Sequence, residues 1–557
     1  MTSQFTTARG DNGLTDSNRR RFLQTTASAG AGLVTSLPSW ATAAANSPSD
    51  LITVSVLHTT DLHGHIMPTE TYDGVGDVGG LARCATQIRK WKKDNPNHLL
   101  LDIGDLYQGT HVSRACEGSI MVDLLNRMGY NGWVIGNHEF DWGPDPLFSA
   151  IEKSKMPVLS ANLELGGKAT GEFSEQGHAF SRITPWKMFE VAGMKIGVIG
   201  LTTPGLPYWL PEALRGGIGP LDPIELAKAG VADLQSQGAN AILVTGHFGY
   251  KGSRDDYANP CRKLLKEVEG IDVFIGGHTH QDLPYVEYED TLFTQAGYHG
   301  IYCGRLDMTF SREAGKLVDR RAMTVLMDSR FEFDPIVMDI AKDSLEQSDL
   351  DLAKPVGKLE TKLTYGEDPD QASDIQDLVG AAVIDAAAQD GIELDGVLHG
   401  SFVDADVPAG SKTMADMWKL VPYENMLVVA HLNYSELVTI FEEASDSWYN
   451  NRRLVGFDVT VKKNQFRNWM VTQIRRADGS ALHPTKRYAI AFNAYDAQSG
   501  GRRIERLRSI VRLKNSRSEF YEKLTRDALA EFFLRHETVD QKLIDDTIGR
   551  TPKPEKA

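Results

Sequence analysis

Six short apolar segments alternate with helix-like stretches in the first 330 residues of this 557-residue sequence, and this alternation restricts the fold more than any other feature. Each segment has the length and composition of a buried strand, and each is followed by a polar, glycine-rich or histidine-rich loop. Strands that alternate with helices predict an α/β domain, in which ligands bind at the carboxyl ends of the strands. The predicted strands are Leu51–Leu57, Leu99–Ile103, Trp133–Ile135, Lys195–Leu201, Ala241–Thr245 and Val273–Ile275.

The length of the chain and a change of pattern near residue 333 predict more than one domain. Residues 333–354 are mostly polar, with Ile336, Ile340 and Leu345 at helical spacing before Pro355, which predicts a connecting helix. The predicted organisation is a signal segment at 1–45, a first α/β domain at 46–332, a linker helix at 333–355, a second α/β domain at 356–540 and a mobile tail at 541–557.

The N-terminus has the features of an export signal. Asn18–Gln24 resembles the twin-arginine export motif, a weakly apolar run follows from Thr25 to about Ala45, and Ala41–Ala43 and Ala43–Ala45 resemble signal peptidase sites. A basic tail without fixed structure is the alternative, but the three features occur in the order that a signal requires. We therefore expect export by the twin-arginine route, to the periplasm or another exported location. No run of about 20 apolar residues follows, so no membrane span is expected.

The formal net charge of −16 argues against nucleic acid as a partner, because phosphate backbones attract basic surfaces. It leaves a small phosphate compound possible, since bound metal cations reverse the local field. The four cysteines, Cys84, Cys116, Cys261 and Cys303, form no Cys-x-x-Cys motif, so a cysteine zinc site is not expected. An oxidising compartment permits disulfides, but we expect free buried thiols.

Potential metal ligands follow the predicted strands in five segments. Imidazole and carboxylate ligands suit zinc, manganese and iron, and seven residues suffice for two divalent ions if one carboxylate bridges them. Asp105, a lone acid on a Gly-Asp turn, is the natural bridge. The segments are Asp61-Leu62-His63, Gly104-Asp105, Gly136-Asn137-His138-Glu139-Phe140-Asp141, Gly246-His247 and Gly277-His278-Thr279-His280.

The seven ligands divide into two sets around Asp105. With Asp105 shared, Asp61, His63 and His280 would complete the coordination of one ion. Asn137, His247 and His278 would complete the coordination of the other. Two ions about 3.5–4 Å apart can activate a water molecule and hold the attacking and leaving oxygens. His138 and Asp141 lie three residues apart beyond Asn137, and an imidazole held by a carboxylate can stabilise developing charge or protonate a leaving group. They are the predicted catalytic pair.

The ordered set of segments resembles the calcineurin-like metallophosphoesterase superfamily. Leu57–His63 and Gly136–Asp141 are more narrowly similar to the 5′-nucleotidase family. The resemblance covers residues 50–330 and implies a four-layer αββα domain followed by an α/β substrate-binding domain. It also implies the bridging role for Asp105 and the pairing of His138 with Asp141.

The second domain resembles the family in outline but departs from it at the substrate. Met414–Asn425 and Tyr488–Asn493 resemble family segments, whereas Leu398–Asp404 replaces the loop that supplies a substrate-binding arginine. An arginine fork binds phosphate bidentately, which histidine or serine cannot reproduce. Arg502 and Arg503 are candidates to replace the lost charge, with exposed surface charge as an equal alternative. The predicted substrate contacts are Tyr495, Arg502, Arg503, His399 and Phe402.

These observations favour an exported metal-dependent phosphoesterase that acts on nucleotides or related phosphate monoesters. A thiosulfohydrolase-like enzyme of periplasmic sulfur oxidation is an alternative, because it would share the fold, the export signal and two metals. A non-catalytic ligand-binding protein on the same scaffold is a third possibility. The complete ligand set and the complete His138–Asp141 pair argue against it, since a binding protein needs neither.

Overall fold

The computed structural model describes residues 50–550 except 367, 369, 372, 425, 447–451 and 501, so the predicted signal segment lies outside the described residues. The N-terminal domain is built on two large sheets. All six predicted strands are confirmed. The strands of this domain are β1 (Leu51–Thr59), β2 (His98–Asp102), β3 (Gly132–Val134), β4 (Val158–Leu159), β5 (Leu163–Leu165), β6 (Lys168–Ala169), β7 (Ile183–Thr184), β8 (Trp186–Val191), β9 (Met194–Thr202), β10 (Ile218–Pro220), β11 (Ala241–His247), β12 (Val273–Gly276), β13 (Asp282–Tyr288), β14 (Thr291–Ala296), β15 (Tyr302–Ser311) and β16 (Leu317–Leu326).

The first sheet has the order β16-β15-β1-β2-β3-β4-β7, and the second has the order β13-β14-β12-β11-β9-β8. Strands β1, β2, β3, β4 and β7 run parallel, as do β9, β11, β12 and β14. Because parallel strands bring their carboxyl ends to one edge of a sheet, the loops after β1, β2, β3, β11 and β12 meet at one edge of the domain. A small third sheet has the order β10-β5-β6.

Helices cover the outer face of each large sheet and complete the four-layer αββα domain. The apolar core between the sheets contains side chains of both, such as Val56, Leu101, Val198 and Leu243. Separate cores form between each sheet and its helices. The helices of this domain are α1 (Leu81–Asp94), α2 (His111–Ala115), α3 (Ser119–Met128), α4 (Pro144–Lys153), α5 (Glu212–Arg215), α6 (Pro223–Ser236) and α7 (Cys261–Glu267).

The predicted connecting helix is present as α8 (Pro335–Leu352). Its start follows from local chemistry. Pro335 occupies the first turn, where no backbone donor is needed. The carboxylate of Asp334 accepts hydrogen bonds from the backbone nitrogens of Ile336 (2.9 Å) and Val337 (3.2 Å), which caps the helix.

The C-terminal domain has a mixed five-stranded sheet, order β21-β18-β24-β20-β25, a three-stranded sheet, order β19-β17-β26, and the hairpin β22-β23. Its strands are β17 (Pro355–Leu359), β18 (Gly396–Gly400), β19 (Gly410–Thr413), β20 (Met426–Leu432), β21 (Arg452–Val455), β22 (Phe457–Lys463), β23 (Trp469–Arg476), β24 (Tyr488–Asn493), β25 (Glu519–Leu524) and β26 (Thr538–Val539). Its helices are α9 (Asp374–Gln389), α10 (Met414–Leu420), α11 (Tyr434–Asp446), α12 (Ala494–Ala497), α13 (Glu505–Val511), α14 (Thr525–His536) and α15 (Gln541–Thr547).

Helix α15 corrects one expectation, because the sequence predicted a mobile tail from residue 541. Asp540 caps the helix by accepting a hydrogen bond from the backbone nitrogen of Leu543. Ile544 and Ile548 are buried in the core of the C-terminal domain. Arg550 forms an ion pair with Asp377 of α9. A few apolar residues in a polar segment are therefore enough to dock it; residues 551–557 lie outside the described part of the chain.

Two further expectations can be compared with the structure. All four cysteines are free thiols, as predicted; three are buried, whereas Cys116 is half-buried. Among the described residues, no helix combines the length and the apolar character that a membrane crossing requires.

Candidate metal centre

The structure brings the seven predicted ligands to the edge where five strands end. Asp61 and His63 follow β1, Asp105 follows β2, Asn137 follows β3, His247 ends β11, and His278 and His280 follow β12. Two groups of side chains converge closely enough to hold a metal ion. The first group is Asp61, His63, Asp105 and His280, and the second is Asp105, His247 and His278. Asp105 belongs to both groups, which is the arrangement that a bridging carboxylate requires.

Short distances join the potential ligand atoms within each group. Oδ2 of Asp105 lies 3.0 Å from Nε2 of His247 and 3.8 Å from Nε2 of His63. Nε2 of His280 lies 3.3 Å from Oδ1 of Asp61 and 3.0 Å from Nε2 of His63. These imidazoles and carboxylates are buried or nearly buried, so the site is largely withdrawn from water.

The donor atoms fit a cation better than they fit one another. Oδ2 of Asp105 and Nε2 of His247 face each other without hydrogen-bond geometry, and Oδ1 of Asn137 has no hydrogen-bond partner among the described residues. Buried polar atoms without partners are rare in folded proteins, because each costs the free energy of its lost hydration. A metal ion bound between these atoms would replace that hydration.

The backbone of the ligand loops adopts conformations that are uncommon outside glycine. Five of the predicted ligands have positive φ angles, and non-glycine residues occupy this region infrequently because of steric strain. Such strain persists only where the surrounding structure enforces it, and it concentrates at functional sites. The residues are Asp61 (50°), His63 (48°), Asp105 (52°), His278 (70°) and His280 (55°).

Backbone carbonyls orient two of the imidazoles. Nδ1 of His247 donates to the carbonyl of Ile103 (2.6 Å), and Nδ1 of His63 donates to the carbonyl of Gln108 (2.8 Å). In each ring the hydrogen bond fixes the tautomer that leaves Nε2 as the ligand atom, which is the usual outer support of metal-binding histidines.

Several of the predicted ligands have pKa values that favour the protonation state in which they can bind a cation. Burial lowers the pKa of both His63 and His278 to about 3, which keeps these rings neutral. Burial alone would raise the pKa of Asp105, but His247 and the other surrounding imidazoles hold it well below its usual value. The pKa of His247, which burial lowers, is raised to about 10 by Asp105 and Asp61. A metal ion bound at Nε2 of His247 would displace this proton, because a histidine binds metal as neutral imidazole.

Glu139 supports the centre, although the sequence assigned it no role. Its carboxylate accepts hydrogen bonds from the backbone nitrogens of Gly136 (2.6 Å), Asp105 (3.0 Å) and Leu106 (2.6 Å), so one side chain ties the loop after β2 to the loop after β3. Gly136 is required where these loops meet, because a Cβ there would lie 2.3 Å from Oδ1 of Asp105. In the sequence, Glu139 was recognisable only as an acidic residue next to Asn137 and His138 that is not itself a predicted metal ligand.

The predicted pair His138 and Asp141 lies beside the predicted metal ligands. Nδ1 of His138 is 2.6 Å from Oδ2 of Asp141, and the backbone nitrogen of His138 donates to Oδ1 of Asp105 (2.8 Å). Burial lowers the pKa of His138, but the carboxylates of Asp141 and Asp105 raise it to about 9. Asp141 therefore both orients the ring and favours its protonated form.

An aromatic group near the centre was missed by the sequence analysis. The hydroxyl of Tyr72 lies 2.6 Å from Nδ1 of His280, and the Tyr72 ring stacks on Tyr298 with 4.3 Å between centroids. Tyr72 lies in the later part of the loop between β1 and α1, beyond the predicted ligands Asp61 and His63, and its 226-residue separation from Tyr298 gave no signal.

The predicted substrate residues occupy the C-terminal domain in different environments. His399 is fully buried at the end of β18, where Nδ1 donates to the carbonyl of Gly400 (2.6 Å), and Phe402 packs edge-to-face against its ring. Tyr495 packs against the hydrophobic core of the N-terminal domain. Arg502 is exposed, pairs with Glu505 (2.6 Å) and lies over the rings of Tyr208 and Tyr257. Arg503 is half-buried beside it.

A row of neighbouring aromatic rings lies between the predicted ligand His278 and Arg502. The ring of Trp209 lies 4.9 Å from the His278 ring and 5.9 Å from the Tyr257 ring, and Cζ of Arg502 lies 5.7 Å from the centre of Tyr257. The structure thus places Arg502 at the boundary of the two domains, one aromatic residue beyond Trp209, whose ring lies beside the predicted ligand His278.

Comparison with known proteins agrees with this architecture. The family model for calcineurin-like phosphoesterase matches residues 54–282, and the model for the 5′-nucleotidase C-terminal domain matches residues 355–508. The fold and the site therefore define a metallophosphoesterase domain that is joined to a 5′-nucleotidase-type C-terminal domain. The chain belongs to the 5′-nucleotidase family of calcineurin-like phosphoesterases.

Individual relatives support this assignment over part of their length. A snake venom 5′-nucleotidase from Naja atra is 31% identical over 312 residues, which cover 51% of this chain and 55% of that protein. The chain spans about half the length, or less, of the curated relatives that it matches.

Two solved structures share the fold. The 5′-nucleotidase precursor from Thermus thermophilus is 23% identical, with a TM-score of 0.65, over 88% of this chain and 97% of that chain. A sulfate thiohydrolase, SoxB, also from Thermus thermophilus, is 18% identical, with a TM-score of 0.58, over 90% of this chain and 96% of that chain. At these identities the likeness concerns the fold alone.

Proposed function

We propose that this chain is an exported phosphoesterase that uses two divalent metal ions to hydrolyse nucleotides or related phosphate monoesters. The observation that carries the proposal is the convergence of two ligand groups on Asp105, beside the hydrogen-bonded pair His138 and Asp141. Nucleotide substrates are supported by the family and by relatives that are named 5′-nucleotidases.

Different residues have different roles in the proposed reaction. Asp61, His63, Asp105 and His280 would hold one ion, and Asp105, Asn137, His247 and His278 would hold the other. Manganese, zinc and iron all suit this donor set. When bound, such ions activate water and stabilise charge on the attacking and leaving oxygens.

His138 supplies the proton that the leaving group needs. Its ring is oriented by Asp141 through Nδ1, which leaves Nε2 to act on the substrate. Glu139 keeps the ligand loops at a fixed separation through its three backbone hydrogen bonds. Tyr423 and Glu424 of the C-terminal domain lie near Tyr72 and Asp141 respectively, so this domain helps to exclude water from the centre.

A substrate screen tests the function. The purified mature protein is assayed with Mn²⁺, Zn²⁺, Fe²⁺ and no added metal. The substrates are nucleoside mono- and diphosphates, cyclic nucleotides, nucleotide sugars and an aryl phosphate. We expect metal-dependent release of phosphate, fastest from a nucleotide. Release of sulfate or thiosulfate from a sulfonated carrier cysteine, without nucleotide turnover, would favour the thiosulfohydrolase alternative. Tight ligand binding without any turnover would favour a binding protein.

Export is part of the proposal and rests on the motif Asn18–Gln24. A fusion of residues 1–45 to a reporter that folds in the cytoplasm should reach the periplasm only in cells with an active twin-arginine translocase. Retention of the fusion in such cells would remove the export part of the proposal and leave the enzymatic part intact.

Substrate affinity is expected to depend on the boundary between the domains. If Tyr495 and Arg502 contact the nucleoside or a distal phosphate, Tyr495→Ala and Arg502→Ala raise KM for the best nucleotide and leave kcat nearly unchanged, because uniform binding is lost. For Arg502 we expect roughly tenfold, near the lower end of about 1.5–3 kcal/mol for a charged hydrogen bond.

An aryl phosphate and a neighbouring arginine supply the controls. The small substrate cannot span both domains, so its KM should hardly change. Arg506→Ala removes another exposed positive charge, from the neighbouring helix α13, and should leave both KM values unchanged. Equal losses on the nucleotide and the aryl phosphate would show that Tyr495 and Arg502 support the fold.

A further inference from the structure

A buried polar chain connects the C-terminal domain to a metal ligand. Nε2 of Gln108 donates to Oε2 of Glu424 across the domain boundary at 2.5 Å. The backbone carbonyl of the same Gln108 accepts the hydrogen bond from Nδ1 of His63 at 2.8 Å. One residue therefore contacts the second domain with its side chain and a predicted metal ligand with its backbone.

The carboxylate that Gln108 meets is fixed within the C-terminal domain. Oε1 of Glu424 forms an ion pair with Arg526 of α14 at 2.6 Å. Arg526 also donates to the carbonyl of Val421 (3.1 Å), and its Cζ lies 3.3 Å from the ring centre of Trp418. Both partners of the ion pair are almost completely buried, and breaking such a pair is costly because one charge would remain unpaired in the interior. Glu424 thus offers Gln108 an acceptor with little freedom to move.

The side-chain contact of Gln108 with Glu424 affects its backbone contact with His63, because both belong to one buried residue. Gln108 is buried, and its side chain is anchored when the domains are docked, so its carbonyl is held in place as well. That carbonyl fixes the ring of His63, whose Nε2 lies 3.8 Å from Oδ2 of Asp105. Outer hydrogen bonds of this kind orient metal-binding imidazoles and raise metal affinity.

We propose that Gln108 is a positioning residue that couples docking of the C-terminal domain to the metal ligand His63. Contact between Glu424 and Gln108 sets the orientation of His63, so the ion held by Asp61, His63, Asp105 and His280 binds most tightly when the domains are docked as described. The inference rests on the metal centre proposed above and adds a residue whose effect passes through His63.

The experiment measures metal affinity in the full mature protein. The metal-free protein is titrated with Mn²⁺ alone, followed by calorimetry, and two dissociation constants are fitted. Gln108→Leu keeps the backbone carbonyl and similar volume but removes the donor to Glu424. We expect about tenfold weaker binding of one ion, at the low end of the effect of outer hydrogen-bond partners, and an unchanged affinity for the other.

A second variant guards against misfolding. Glu424→Gln keeps the shape of the acceptor but removes its charge, so it should shift the same dissociation constant in the same direction by a smaller factor. Thermal unfolding of each metal-free variant identifies the folded ones. The double variant should be no weaker than Gln108→Leu alone, because both changes interrupt one connection.

Arg508→Gln is the matched control. Arg508 also crosses the domain boundary, donating to the carbonyl of Pro207 (3.0 Å) and lying over Tyr208, and neither of these contacts involves Gln108 or His63. It should leave both Mn²⁺ constants unchanged. Wild-type affinities in the folded Gln108→Leu and Glu424→Gln proteins would overturn the inference, as would an equal loss in Arg508→Gln. A wild-type protein that binds no Mn²⁺ would overturn the metal centre itself, and this outcome is visible before any variant is made.

Discussion

Asp105→Asn is expected to remove most of the metal and most of the activity while the fold survives. Asp105 contributes to both ligand groups, and its Oδ2 lies within 3.8 Å of the imidazole nitrogens of His63 and His247. An amide is uncharged and offers only one oxygen, so it cannot offset the repulsion between two cations. Loss of an outer partner typically costs 10–100-fold in metal affinity, so we expect this bridging ligand to cost more than about 100-fold.

Elemental analysis and Mn²⁺ titration test this expectation, with circular dichroism as the check on folding. Asp272→Asn is the matched control, because Asp272 precedes β12 in the same domain and accepts its hydrogen bond from Ile242 at the opposite end of the strands. It should retain two ions and full activity. Two ions per chain at wild-type affinity in Asp105→Asn would exclude the bridging role.

The position of the metal centre followed from the sequence because two regularities coincide there. Apolar strands are recognisable from composition, and the topology of parallel sheets brings their carboxyl ends together. Asp61, Asp105 and His247 therefore could be grouped although they are separated by up to 186 positions. The register of the strands, such as Leu57 opposite Leu100, then sets the distances within the group.

Other features of the centre depend on geometry that local sequence does not encode. The positive φ angles of His63 and His280 arise because the loops are held by tertiary contacts, and both residues would avoid this region in isolation. Glu139 could have been suspected as a buried acid in a ligand motif, but its three backbone partners appear only when two loops meet. Tyr72 had no signal at all.

In the C-terminal domain, even fewer of the contacts could be predicted from local sequence. Its strand Tyr488–Asn493 was recognisable from its resemblance to a family segment, whereas the docking of Ile544 in helix α15 was not predicted. Gln108 and Glu424 are 316 positions apart, and neither belongs to the predicted ligands. Contacts between domains depend on shape and charge over large separations, so a pattern within one segment cannot predict them.

His138→Ala is expected to keep both metal ions and to slow turnover by roughly 10²–10⁴-fold on a nucleotide, the range for loss of a general acid. His138 is no predicted ligand, but its Nδ1 is held by Asp141 at 2.6 Å and its ring lies 5.1 Å from that of His63, beside the centre. Asp141 raises the pKa of the ring, although burial opposes this, so a proton is available to donate. Asp141→Asn should cost less, because the ring loses its orientation and charge but remains present.

The dependence on the leaving group separates proton donation from other roles. A nucleoside monophosphate releases an alkoxide and needs a proton, whereas p-nitrophenyl phosphate releases a stable anion and needs little help. At saturating substrate, His138→Ala should therefore lose far more kcat on the nucleotide than on p-nitrophenyl phosphate. His98→Ala, which removes a half-buried histidine from the opposite end of β2, should match the wild type on both. Equal losses on the two substrates would assign His138 to charge stabilisation, and wild-type kcat on both would remove it from the mechanism.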